Sequence, residues 1–172
     1  MDVWRAFESN IITHSAAHHI MTISELIETN GYARVTDVAK RLGISRSSAS
    51  TTLKTLKQRG YVEEDLNKFL RLSPKGKKVN QGVKSNRLLL IKFLKDVLRV
   101  NPEQAEIDAC KIEHLLSREA GERLLSFLRF LTSDSEKAES VLKAYWQSEG
   151  KCEGLAENCP ICETNCLMVE ED

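Results

Sequence analysis

Apolar residues recur at helical spacing along most of this chain. Over residues 13–29, Ile20, Ile23, Leu26 and Ile27 fall on one face, and Asn30-Gly31 supplies a left-handed stop. A short helix capped by Thr36 carries Val38, Ala39 and Leu42 and breaks at Gly43. Ser45 caps a third helix over about 46–59, with Ala49, Leu53 and Leu56 inward and Gly60 closing it. The period then changes to two. Tyr61-Val62-Glu63 and Phe69-Leu70-Arg71-Leu72 predict two short strands, with Asp65-Leu66-Asn67-Lys68 as their turn. Ser73-Pro74 opens a long helix to about 98, striped by Val79, Val83, Leu90, Leu94 and Val97.

The second half is also helical. Asn101-Pro102-Glu103-Gln104 starts a helix to about 116 that buries Ala105, Ala109, Ile112 and Leu116. A further helix over 118–131 carries Leu124, Leu125, Leu128 and Leu131. Ser133-Asp134-Ser135-Glu136 reads as a capping box opening a helix to about Gln147. After Gly150 the pattern gives way to an acidic segment with four of the five cysteines.

Helix, break, helix and hairpin across 33–73 is the layout of a winged helix-turn-helix. The expected class is mainly α: a winged-helix DNA-binding domain (1–74), a helical metal-binding and dimerisation domain (75–132), and a helix with a Cys-rich tail (133–172). The second helix of the unit would enter the major groove, presenting Ser45, Arg46, Ser47, Ser48, Ser50, Thr51, Thr52 and Lys54. Lys68 and Arg71 in the hairpin would reach a neighbouring phosphate. Such a unit also occurs as a pure protein-interaction module.

Charge favours the nucleic-acid reading. The 172 residues balance 25 basic against 25 acidic side chains, but the balance hides two opposite halves. Residues 1–100 hold 18 basic and 9 acidic side chains, and residues 101–172 hold 7 and 16. A basic half points to a polyanion, although a dipolar surface without a partner has the same arithmetic. The longest purely apolar run is Leu88-Leu89-Leu90-Ile91, so no membrane span is expected. No secretory signal is read at the start, and a cytoplasmic protein with reduced cysteines is expected. No Gly-rich phosphate loop, Gly-x-Ser-x-Gly or His-Glu-x-x-His pattern supports an enzyme.

Asp108-Ala109-Cys110-Lys111-Ile112-Glu113-His114 carries the clearest chemistry. Cys110, Glu113 and His114 stand at i, i+3 and i+4 and share one helical face. A thiolate, a carboxylate and an imidazole there can bind a divalent transition metal; a packed cysteine beside a solvated ion pair has the same pattern. His14, His18 and Met21 lie along one face of the first helix and can supply a further ligand.

Three stretches resemble the iron- and manganese-dependent repressors of the DtxR/MntR type. They are Gly31-Tyr32-Ala33-Arg34-Val35-Thr36-Asp37-Val38-Ala39, Leu72-Ser73-Pro74-Lys75-Gly76-Lys77-Lys78, and residues 108–117 ending Glu113-His114-Leu115-Leu116-Ser117. The resemblance covers residues 13–131. It implies a winged-helix domain, a helical dimerisation domain, and metal-activated binding of a homodimer to a palindromic operator on double-stranded DNA in metal-uptake promoters. The family's primary metal site matches Cys110, Glu113 and His114, and its first-helix ligand aligns with His18. Such a donor set suits Fe²⁺ first, with Zn²⁺ or Mn²⁺ the alternatives. The ancillary-site positions align with Asn86, Leu90 and Glu106, so that site is expected to be absent or altered. The SH3-like domain of longer members is expected to be missing.

Cys152, Cys159, Cys162 and Cys166 have the spacing C-x6-C-x2-C-x3-C. Four thiolates so close can surround a tetrahedral zinc or an iron–sulfur cluster. The functional expectation is a metal-dependent DNA-binding repressor of metal, chiefly iron, homeostasis. The alternatives are a winged-helix redox regulator using the cysteine tail, with a vestigial divalent-metal site, and a metal-binding protein-interaction module.

Overall fold

Thr13 opens the first helix because its hydroxyl accepts the Ala16 amide, leaving His14 as the first helical residue. The computed structural model describes residues 12–148. It places α1 at His14–Asn30, α2 at Val35–Leu42, α3 at Arg46–Gln58, β1 at Val62–Glu64, β2 at Leu70–Leu72 and α4 at Pro74–Lys92. A π-helical turn (Phe93–Val97), α5 (Pro102–Ile112), α6 (Arg118–Leu131) and α7 (Glu136–Gln147) follow. The chain divides into two compact units between Phe127 and Leu128.

In the first unit α1 and the α2–α3 pair enclose one apolar core of Ile20, Ile23, Val38, Leu53 and Leu70, closed at the hairpin by Tyr61. Each such side chain gains about 1.5–3 kcal/mol on burial. The hairpin is antiparallel, with Val62 opposite Leu72 and Glu64 opposite Leu70. Asp65 shapes its turn by accepting the amides of Asn67 and Phe69, which lets Lys68 adopt a left-handed φ of 65°. The Leu70 amide donates to the Ala33 carbonyl, tying the wing to the α1–α2 loop.

Ser73 joins the wing to α4. Its hydroxyl donates to the Gly60 carbonyl at 2.6 Å and accepts the Gly76 amide. Gly76 lies against the Tyr61 carbonyl so closely that a Cβ would collide with it. From this anchor α4 packs against α1 on one side and α5 on the other. Its apolar residues Val83 and Leu90 are buried, as is Val97 in the turn beyond.

Four boundaries differ from the sequence expectation. Thr36 does not cap α2; Arg34 is the cap residue and its amide donates to the Asp37 carboxylate. The long helix does not stay α-helical to 98, since a π turn with Leu98 N–H on the Phe93 carbonyl ends it. The helix of Cys110 stops at Ile112 rather than 116 because Asn86 of α4 draws in the carbonyls of Glu113 (2.9 Å) and Leu116 (3.3 Å). Gly121 leaves room for that amide: a Cβ there would stand 3.0 Å from its oxygen. Lastly, Ser135 rather than Ser133 takes the N-cap position of α7, without a side-chain cap bond, and the Ser133 hydroxyl donates back to the Phe130 carbonyl.

Ile112, expected inside, is 39% exposed. In the second unit Leu128, Leu131 and Ala138 are buried. No helix of the described residues is long and apolar enough to cross a membrane.

Gly76→Ala is expected to destabilise the protein by about 1–3 kcal/mol through overpacking on Tyr61. Asn86→Ala should cost about 1–3 kcal/mol by leaving two carbonyls without their donor. Urea unfolding curves check both; an unchanged midpoint for either variant would show that its contact contributes nothing.

Candidate metal centre and nucleic-acid interface

Two elements converge near the start of α1. His14 and His18 are one turn apart, so their rings meet edge-on along one face with centroids 4.3 Å apart. On α5, Ala105 and Ala109 are fully buried, and the helix packs against α4, which itself packs against α1. The Cys110 sulfur lies 3.3 Å from His18 Nε2. One donor atom from each of His14, His18 and Cys110 lies within 4.8 Å of the others.

The remaining sequence-named ligands sit on the turn after α5. The His114 ring is 5.1 Å from that of His14, and its Nδ1 is buried with no partner among the described residues. Glu113 is fully buried, with Oε2 3.4 Å from the Arg87 guanidinium and Oε1 without a partner among the described residues. Burial pushes the Glu113 carboxyl up, against the pull of Arg87. Burial also holds the His18 and His114 imidazoles below their usual value, with His14 adding to both shifts. Neutral imidazoles are the form that binds metal. A cation therefore fits: it would meet the donors already gathered at His14, His18 and Cys110 and give the buried His114 Nδ1 a partner.

Sequence reasoning named His18, Cys110, Glu113 and His114. The structure brings His18 against Cys110, sets His114 beside His14, and turns one oxygen of Glu113 to Arg87. Met21 is a packing residue, buried with Ala17 and Val83. Arg87 was missed because its contact with Glu113 spans 26 positions and leaves no local pattern. At the ancillary positions, Asn86 is engaged with backbone, Leu90 is buried and Glu106 is exposed.

On α3, Ser45, Arg46, Ser47, Ser48, Ser50, Thr51 and Lys54 are exposed, while Thr52 is half-buried and offers less than expected. Part of the hydroxyl capacity is used within the helix. Ser45 accepts the Ser48 amide, and Thr51 donates to the Ser47 carbonyl. In the wing, Lys68 pairs with Glu64 at 3.4 Å and Arg71 with Asp65 at 3.9 Å. These exposed pairs are weak and can be exchanged for phosphate. The tail cysteines Cys152, Cys159, Cys162 and Cys166 lie outside the described residues.

The chain matches two family descriptions: the iron dependent repressor N-terminal DNA binding domain over residues 12–68, and the iron dependent repressor metal binding and dimerisation domain over residues 73–141. It is 34% identical over 129 residues to the HTH-type transcriptional regulator MntR of Geobacillus thermodenitrificans, covering 75% of this chain and 91% of that protein. It is 29% identical over 145 residues to MntR of Oceanobacillus iheyensis, covering 84% and 98%. Among solved structures it resembles T. acidophilum IdeR (TM-score 0.54, 23% identity, 65% of this chain and 53% of that one). It also resembles the manganese regulator SloR (TM-score 0.60, 24% identity, 66% and 53%). The chain thus spans about half the length of these two solved structures. It belongs to the iron-dependent repressor family of the DtxR/MntR type, whose members are metal-dependent, dimerising, DNA-binding transcriptional regulators and not enzymes.

Proposed function

We propose that this protein is a cytoplasmic repressor of metal-homeostasis genes that binds a palindromic operator as a homodimer when Fe²⁺ occupies the centre between α1 and α5. The observation that carries the reading is the approach of Cys110 to His18 across 92 positions of sequence. α1 belongs to the core that also holds α3, and α5 leads to the exposed apolar residues Ile107, Ile112 and Leu115, a surface suited to a second copy. The metal supplies a cation that draws the α1 and α5 donors together. His18 and Cys110 then fix the position of α3 and the wing relative to the dimerising surface. Only a difference in metal affinity between the DNA-competent and other states can drive that switch.

The choice of metal rests on donor chemistry. The names of the relatives favour manganese. A thiolate with imidazoles favours Fe²⁺ or Zn²⁺, because Mn²⁺ takes oxygen ligands and stands lowest in the affinity order for such a set. The tail spacing supports a second reading alongside the first: Cys152, Cys159, Cys162 and Cys166 hold an iron–sulfur cluster.

The expected result of an anaerobic titration, using a duplex selected from a random pool by the metal-loaded protein, is at least about tenfold tighter binding with Fe²⁺ than without metal. Cys110→Ala should remove that gain. A parental response in Cys110→Ala overturns the centre, and activation by Mn²⁺ at lower free concentration than Fe²⁺ overturns the choice of metal. For the tail, anaerobically purified protein should show visible charge-transfer absorbance and bound sulfide, both lost in Cys159→Ser/Cys162→Ser. Colourless protein rejects the cluster, and stoichiometric zinc would identify what replaces it.

A further inference from the structure

The donors at the α1–α5 junction fall into two sets that do different work. His14, His18 and Cys110 present their donor atoms to one another within 4.8 Å. Glu113, the carboxylate that the sequence pattern nominates, is absent from that set and faces the Arg87 guanidinium. We propose that His14 is a metal ligand, and that this chain has a single-ion nitrogen–sulfur centre of His14, His18 and Cys110, with Glu113 kept as the ion-pair partner of Arg87. The inference rests on the metal-dependent reading above and identifies which residues carry it.

Three observations support the assignment. First, two histidines four residues apart on one helix form a ready chelate, since their rings lie side by side without any change of backbone. Second, the helix starts at His14 because Thr13 caps it, so the His14 backbone is set by local chemistry before any ion binds. Third, the Arg87 guanidinium, 3.4 Å from Oε2, already supplies the Glu113 carboxylate with a counter-charge that needs no metal. The neighbouring positions reinforce this: Asn86 has its amide on the Glu113 and Leu116 carbonyls, and Leu90 has no donor. His114, with its unpaired buried Nδ1 and its ring 5.1 Å from His14, is the imidazole nearest to a fourth position.

Such a centre separates metals. An all-nitrogen-and-sulfur set follows the general affinity order, with Mn²⁺ weakest, and lacks the carboxylates that would offset it.

The test uses Co²⁺ as a spectroscopic probe on the full chain carrying Cys152→Ser, Cys159→Ser, Cys162→Ser and Cys166→Ser, so that thiolate-to-cobalt absorbance reports Cys110 alone. One equivalent of Co²⁺ should bind with that absorbance. His14→Ala should weaken binding at least about tenfold and alter the visible ligand-field bands. His14→Cys, which restores a donor, should recover the affinity. Glu113→Gln should leave spectrum and affinity as in the parent. His14 is exposed at the helix start, so its variants keep the fold, as circular dichroism would verify. A parental titration for His14→Ala overturns the proposal, as does a loss in Glu113→Gln equal to that in His14→Ala, or two equivalents per chain. The broader metal reading fails separately, if Cys110→Ser keeps the parental affinity and spectrum.

Discussion

A thiol on one helix and an imidazole on another meet at 3.3 Å, and the rest of the architecture is arranged to make that meeting possible. Neither helix could bring its donors there alone. α1 has to be pinned by a core of its own, through Ile20 and Ile23, so that the opposite side of its first turn is free. α5 has to lie close, and it is held there by its packing on α4. The consequence is an electrostatic demand: His114 Nδ1 is removed from water with no partner among the described residues. A buried acceptor left unpaired is costly, and a cation beside it satisfies it.

The long helix α4 is the shared support. It is held at its start by Ser73 and Gly76 against the wing, and further along it grips the end of α5 through Asn86 and Arg87. Those two residues fix α5 to α4 without any metal. In the proposed metal centre only the α1 side is left to be joined by an ion, and α1 shares its core with α3. A metal bound there would act at one junction. The α4 contacts also explain how a chain with no donor at Leu90 retains a fixed α5 turn: direct hydrogen bonds and an arginine do that work.

Much of the fold was legible because it is local. Ser45 and Ser73 as caps, Gly31 and Gly43 as left-handed stops, and the change of period at Tyr61 each follow from a few neighbouring residues. The misplaced caps at Thr36 and Ser133 were local, but the errors at the metal site arose where a distant partner intervened. Cys110, Glu113 and His114 share a helical face on paper, yet Asn86 ends the helix at Ile112 and Arg87 claims one Glu113 oxygen. Ile112 was read as core from its spacing but is 39% exposed, in a protein whose family dimerises. A hydrophobic stripe says that a face will be covered, not whether the cover is the same chain or a second one.

By itself, therefore, the sequence determined the winged-helix layout, the charge division between the halves, and the presence of soft metal donors, because caps, periodicity and composition act over a few residues. Tertiary structure decided which donors meet. His14 joins His18 and Cys110 while Glu113 turns to Arg87, and that choice depends on packing α1, α4 and α5 together. A contact spanning 92 positions is set by how α1 and α5 each pack on α4, and no local pattern encodes that.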